Sequence, residues 1–161
     1  MRPFLILVLL SAFSAHAVAA QAPIDVKELA EYRLTGPVLE QFVEASGLIM
    51  TVTRQNARFT YAPLFTKEVA LSGDAPVVAA GLVARLENDP ALVAALTTAK
   101  LTPREYATFA LALFAARLAH GFVEAGVLRS VPSGAPADNV QFVGAHQAEI
   151  TAVLYTIGVR D

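Results

Sequence analysis

The sequence predicts an all-α protein: a single compact bundle of about five helices that follows a cleaved leader. Three observations predict this fold class. Helix-start signals recur along the chain, most of them a capping residue followed by a proline or an acid in the first turn. Between them, apolar residues repeat at three- and four-residue steps, and no segment alternates as a strand does. The length of 161 residues fits one domain.

The first twenty residues have the pattern of a secretory signal peptide. Arg2 supplies a short basic region, residues 4–13 are apolar, and small residues follow. This is the order of the charged, apolar and cleavage regions of such a leader. The pattern predicts a bacterial protein that is periplasmic or secreted.

Several small residues are candidates for the cleavage position. We expect cleavage after Ala20, with Ala17 and Ala19 as the other sites, so that residues 21–161 form the helical domain. An uncleaved membrane anchor is the alternative interpretation, because no charge occurs from residue 3 to residue 24.

The composition excludes several kinds of protein. The chain has no Cys, so it can form neither a disulfide, nor a lipoprotein attachment, nor a Cys-x-x-Cys-His haem link. Its formal charge is -2 and neither sign is concentrated, which argues against nucleic acid as a partner. After the leader, no uncharged apolar run reaches membrane length. We therefore expect no transmembrane span in the mature chain.

The first predicted elements are a short lead-in helix and a longer helix. Asp25 is placed to cap the lead-in helix, which would extend to Tyr32. Thr35 and Pro37 begin the next helix, whose charged side ends at Arg58. Beyond it we expect a connector whose aromatic residues cover one end of the bundle. These residues are Phe59, Tyr61 and Phe65.

Two Asp-x-Pro or Asp-Pro signals begin the next two helices. Asp74 precedes a helix to about Asn88, whose predicted apolar face is formed by Val77, Leu82, Val83 and Leu86. Asp89 and Pro90 then begin a short helix to about Ala99.

The segment from Thr102 to Gly126 is predicted to be the central helix. Thr102 and Glu105 form a capping box, with Pro103 in the first turn. The large apolar residues that follow point to nearly every side of a helical wheel. A helix of this kind is packed by other helices on several faces.

A loop around Pro132 and Gly134 separates the central helix from the last one. We expect Asp138 to cap a single helix that runs to about Ile157, with Gly158 as its stop.

Two histidines are the main candidates for chemistry. The wheel places His146 on the apolar face of the last helix, where a buried ring needs a partner for its nitrogens. The structural interpretation is a core histidine bonded to a Tyr hydroxyl, a carboxylate or a backbone carbonyl group. The functional interpretation is a metal, haem or catalytic role. His120 lies on the central helix three and four residues from Arg117 and Glu124. A polar strip of neighbouring side chains accounts for it.

A shared ligand site is the sharper alternative. It would place His146 and His120 on facing helices, with Tyr106 nearby, as in bundles that bind a small ligand or haem. No zinc, di-iron or catalytic motif occurs, so we expect no metal site and no catalytic residues.

Three segments resemble small exported all-helical bacterial proteins of uncharacterised function. They are residues 101–106 followed by an Ala/Leu helix, residues 139–143, and residues 32–35 before a helix. The resemblance implies an exported helical fold, and it implies no activity, ligand or functional residue.

These observations predict a periplasmic interaction protein, an accessory subunit of an envelope assembly. This hypothesis depends on the absence of catalytic motifs and on the apolar surplus of the central helix. A small-ligand or haem carrier that uses His146 is the alternative, and an enzyme ranks third.

Overall fold

A computed structural model describes residues 24–55, 75–131 and 135–157. Within these ranges the chain forms helices and no strand, which confirms the all-α prediction. The helices are α1 (Val26–Glu31), α2 (Gly36–Gln55), α3 (Ala75–Glu87), α4 (Pro90–Thr98), α5 (Pro103–Glu124), α6 (Ala137–Ala145) and α7 (Gln147–Thr156). The predicted leader and its cleavage sites, the connector aromatics Phe59, Tyr61 and Phe65, the Asp74 cap, the loop residues Pro132 and Gly134, and Gly158 lie outside the described residues.

Three of the predicted helix starts are confirmed by their caps. Asp25 caps α1 and Asp89 caps α4, with Pro90 in the first turn of α4. Thr102 and Glu105 form both halves of the capping box at the start of α5. These side chains pair amide groups that have no partner inside the helix.

The last predicted helix differs from the expectation in two ways. It begins at Ala137 with no side-chain cap, so Asp138 lies in its first turn rather than at its cap. It also breaks at His146 into α6 and α7, although the predicted single helix runs through this residue. The break allows α6 to pack on α5 while α7 packs on α2. With the lead-in helix α1 also formed, the described chain has seven helices instead of about five.

The central helix α5 contacts α1, α2, α3, α4 and α6. Every residue from Tyr106 to Leu113 is buried, which confirms the prediction of a helix packed by other helices on several faces. The second half is less enclosed, since Phe114 and Leu118 are half-buried. Among the described residues α5 is also the helix long and apolar enough to cross a membrane, but more than half of it is buried inside the fold, as in a core helix.

The core-facing side of α3 is formed by Ala79, Leu82 and Leu86, each at most 1% exposed. Val77 was expected on the same side, but it is 72% exposed. Its register explains the difference, because Val77 lies five positions before Leu82 and so about 140° from it around the helix.

Candidate functional site

Tyr106 lies at the centre of the bundle, on the first turn of α5. Its side chain is 0% exposed, and its hydroxyl is 3.0 Å from the Ser46 hydroxyl of α2. The Phe42 ring stacks on it, with ring centroids 4.8 Å apart and planes 26° apart. This is the environment of a core tyrosine whose polar end has a hydrogen-bond partner.

Burial raises the pKa of Tyr106 well above its ordinary value, and the hydrogen bond with Ser46 lowers it by less. Burial, with a contribution from the Glu105 carboxylate, also raises the pKa of Tyr32. The raised pKa of Tyr106 makes the stability of the fold depend on pH. The folded protein keeps the Tyr106 proton at a pH where the unfolded chain releases it, so alkaline pH favours unfolding.

We therefore expect the free energy of unfolding to fall as pH rises above about 10, the ordinary tyrosine value. The Tyr106 part of this slope approaches about 1.4 kcal/mol per pH unit, because one proton separates the two states. Tyr106→Phe should flatten the slope measured by denaturant unfolding between about pH 9 and 11. Tyr155→Phe is the matched control, since Tyr155 is 71% exposed. Equal slopes in wild type and Tyr106→Phe would contradict this account.

His120 lies near the C-terminal end of α5, against α6. Its ring packs on the backbone of Gly144, where a Cβ atom would lie 3.1 Å from His120 Cε1. The Nε2 atom is buried and has no hydrogen-bond partner among the described residues. Glu124 Oε1 is 3.4 Å away, within ion-pair distance but not aligned for a hydrogen bond. The structure thus places His120 beside Glu124, as the polar-strip interpretation predicts, and makes its ring part of the α5–α6 contact.

His146 occupies the junction between α6 and α7 rather than the core. Its side chain is 36% exposed, and its ring stacks on Phe142 with centroids 4.2 Å apart. Nδ1 lies 3.5 Å from the carboxylate of Glu149. The predicted apolar surroundings are only partly present, because the helix breaks at this residue and the wheel no longer applies across it.

The structure does not bring the three predicted site residues to one place. Tyr106 and His120 belong to one continuous helix and are fourteen positions apart, which is about 21 Å along the helix axis. His120 packs against Gly144 of α6, whereas His146 lies just beyond the end of α6, where its ring stacks on Phe142. No contact described among residues 24–55, 75–131 and 135–157 joins the two histidines.

Asn139 is a structural residue that the sequence interpretation missed. It is 1% exposed, and both the oxygen and the nitrogen of its side-chain amide form hydrogen bonds. Oδ1 accepts a hydrogen bond from the Leu34 amide, and Nδ2 donates one to the Tyr32 carbonyl, each at 2.9 Å. Two of the segments that carry the resemblance, residues 32–35 and 139–143, therefore meet in the fold. Nothing in the local sequence indicates a partner 105 positions away.

Metal binding finds no support in the described part of the chain. There, no three His, Cys, Asp or Glu side chains are placed to hold an ion together.

Comparison of the chain with protein-family models, with curated proteins and with solved structures finds no match.

One helix surface stands out as a candidate interface. We call it the α3 face; it consists of Val77, Ala80, Gly81 and Ala84, which are all exposed and recur at helical spacing. No charged residue lies between Val77 and Ala84, and α4, which packs beside α3, also exposes Ala and Thr. By contrast, the exposed residues of α2 include Glu40, Glu44 and Arg54.

Proposed function

We propose that this chain is an exported helical protein that acts as an accessory subunit of an envelope assembly and binds a partner protein through the α3 face. The leader pattern of residues 1–20 supports export. The exposed, uncharged α3 face is the observation that supports binding. The α3 face replaces the apolar residues of the central helix as the basis of this hypothesis, because the first half of α5 is buried and not available to a partner.

The chemistry of the α3 face favours a partner that is itself uncharged at the contact. A charged partner group would lose its water there without gaining an opposite charge. The small side chains at positions 80, 81 and 84 allow the backbone of a partner helix to approach closely, as small residues do where helices pack tightly. We therefore expect an apolar helix as the partner element.

Two exposed glycines allow a matched test of this interface. Gly81 lies in the α3 face and Gly47 lies on the charged side of α2, and a Cβ atom at either would meet nothing within 4 Å. Gly81→Arg and Gly47→Arg should both leave the fold intact, because arginine is a better helix former than glycine. Only the first places a long charged side chain in the proposed contact.

The measurement is covalent cross-linking in cells that make the full chain, followed by mass spectrometry of the linked proteins. We expect a protein that links to wild type and to Gly47→Arg, and whose yield falls at least about tenfold with Gly81→Arg, corresponding to a loss of 1.4 kcal/mol or more. Equal yields from both variants, or no linked protein in wild type, would refute the α3 face as an interface. The mass of the amino-terminal peptide in the same sample tests cleavage after Ala20.

The small-ligand or haem carrier and the enzyme stay as the alternative predictions. No described contact favours either of them, since Tyr106 is enclosed in the core and the described contacts of the two histidines are with different residues, Gly144 and Glu124 for His120 and Phe142 and Glu149 for His146.

A further inference from the structure

Residues 24–34, which we call the amino-terminal segment, are fixed to the bundle at both ends. Ile24 is 1% exposed and belongs to the main core. At the other end Leu34 is 6% exposed, and its backbone amide donates a hydrogen bond to the Asn139 side chain of α6. Between them lies the short helix α1, with extended backbone on either side of it. The fold therefore holds the whole segment in place, including its first residue.

The partners of the amino-terminal segment come late in the chain. The Glu28 carboxylate pairs with the Arg104 guanidinium on the first turn of α5. The Tyr32 ring meets Phe109 edge to face, with centroids 6.4 Å apart. Asn139 donates a hydrogen bond to the Tyr32 carbonyl, 107 positions away. A chain that is exported from its amino terminus therefore delivers this segment long before the helices on which it docks.

The predicted leader cleavage site lies close to the buried start of the amino-terminal segment. Three residues separate the Ala20–Gln21 bond from Ile24, and three extended residues span at most about 11 Å. A peptidase of about 300 residues has a radius of gyration of about 19 Å, and it encloses the bond that it cuts in a cleft. While Ile24 is in the core, such an enzyme and the bundle would have to occupy the same space.

We propose that the fold closes its own leader cleavage site, so that the leader is removed before the amino-terminal segment docks and not afterwards. The step is a hydrolysis: water adds across the Ala20–Gln21 bond in the peptidase, which leaves a carboxyl group on Ala20 and an amino group on Gln21. The late position of α5 and α6 gives the peptidase time to act. A chain that docks Ile24 first keeps its leader as a membrane anchor.

This order of events rests on the export part of the proposed function and does not involve the α3 face. The cleaved leader and the uncleaved anchor are the two alternatives that the sequence leaves open. Both become outcomes of one competition, in which either cleavage or the docking of residues 24–34 happens first.

The test measures how fast purified bacterial leader peptidase cuts the full chain after it has folded with its leader in detergent micelles. In one variant, a spacer of eight Gly and Ser residues is inserted between Gln21 and Ala22, which moves the bond away from Ile24 by up to about 29 Å. The control carries the same insertion between Arg129 and Ser130, two exposed residues beyond the end of α5. Equal helix content by circular dichroism ensures that all three chains are folded.

We expect the chain with the spacer after Gln21 to be cut at least about tenfold faster than wild type and than the control. In the latter two, cleavage waits for the fraction of molecules in which the amino-terminal segment has opened. Equal rates for wild type and the spacer variant would overturn the inference and leave export untouched. Absence of cleavage in all three chains would refute the cleavable leader, and with it both the inference and the export part of the proposed function.

Discussion

Phe109→Ala is expected to lower the free energy of unfolding by about 3–5 kcal/mol, the range for removing a large aromatic side chain from a core. Phe109 is 0% exposed and lies on the fully enclosed half of α5. Its ring contacts Phe42 of α2, with centroids 5.0 Å apart, and Tyr32 at the C-terminal end of α1. The cavity left by alanine would therefore open between three elements, and their helical backbones limit how far it can collapse.

Phe114→Ala is the matched control for this experiment. The sequence pattern alone predicts for it the same large loss of about 3–5 kcal/mol. In the structure, however, Phe114 is only half-buried, so its removal should cost about 1–2 kcal/mol, in proportion to the smaller area withdrawn from water. Denaturant unfolding of both variants gives the comparison. A larger loss for Phe114→Ala than for Phe109→Ala would mean that the enclosed side of α5 is wrongly assigned.

The helix starts were predictable because their cause is local. Thr102 and Glu105 bond to each other's backbone within one turn, and Asp89 bonds to the amide of Ala91 two positions later. Such contacts need only the sequence between the partners. The burial of the first half of α5 was predictable for a similar reason, since a helix with no polar side needs neighbours all round.

The break at His146 was not predictable in the same way. No proline and no cap bond marks it, and the helical periodicity continues through it. It follows from which helices α6 and α7 meet, α5 and α2 respectively, and that is settled by the whole fold. Because the wheel assumed one continuous helix, it placed His146 in the core, and the proposed pairing of the two histidines depended on that assumption.

For the α3 face, by contrast, the relevant pattern is present in the local sequence, because α3 has two sides without charge. Because Val77 is apolar, the sequence pattern predicts it on the buried side with Leu82. The spacing from Val77 through Gly81 to Ala84 was equally visible and indicates a second side without charge. Which of its two apolar sides a helix buries depends on the helices that pack against it. The exposure of Val77 could therefore be predicted only from the packed structure.

Asn139→Ala is expected to be the second large loss, about 2–4 kcal/mol of unfolding free energy. The change removes two hydrogen bonds and leaves the buried Leu34 amide and the Tyr32 carbonyl without the side chain that pairs with them. The unpaired Leu34 amide costs about 1–3 kcal/mol, and the lost bond to the Tyr32 carbonyl, which still accepts one from Arg33 Nη1 at 3.3 Å, adds about 1 kcal/mol. Gln141→Ala is the control, because Gln141 is exposed two positions later in the same helix. Its effect should stay within about 0.5 kcal/mol.

Asn139→Asp separates the two hydrogen bonds. The carboxylate that it introduces still accepts from the Leu34 amide, but it places an oxygen and a charge against the Tyr32 carbonyl at a position that is 1% exposed. We expect a loss at neutral pH at least as large as that of Asn139→Ala, because an unpaired buried charge costs more than a missing side chain. Acidification protonates the carboxyl and restores a donor towards Tyr32, so part of the loss should be recovered relative to wild type. Denaturant unfolding of both variants at about pH 7 and about pH 4 makes the comparison. If Asn139→Asp matched wild type at neutral pH, the hydrogen bond to the Tyr32 carbonyl would contribute nothing to stability, and the attachment of α6 to residues 32–34 would depend on the Leu34 hydrogen bond and on apolar packing.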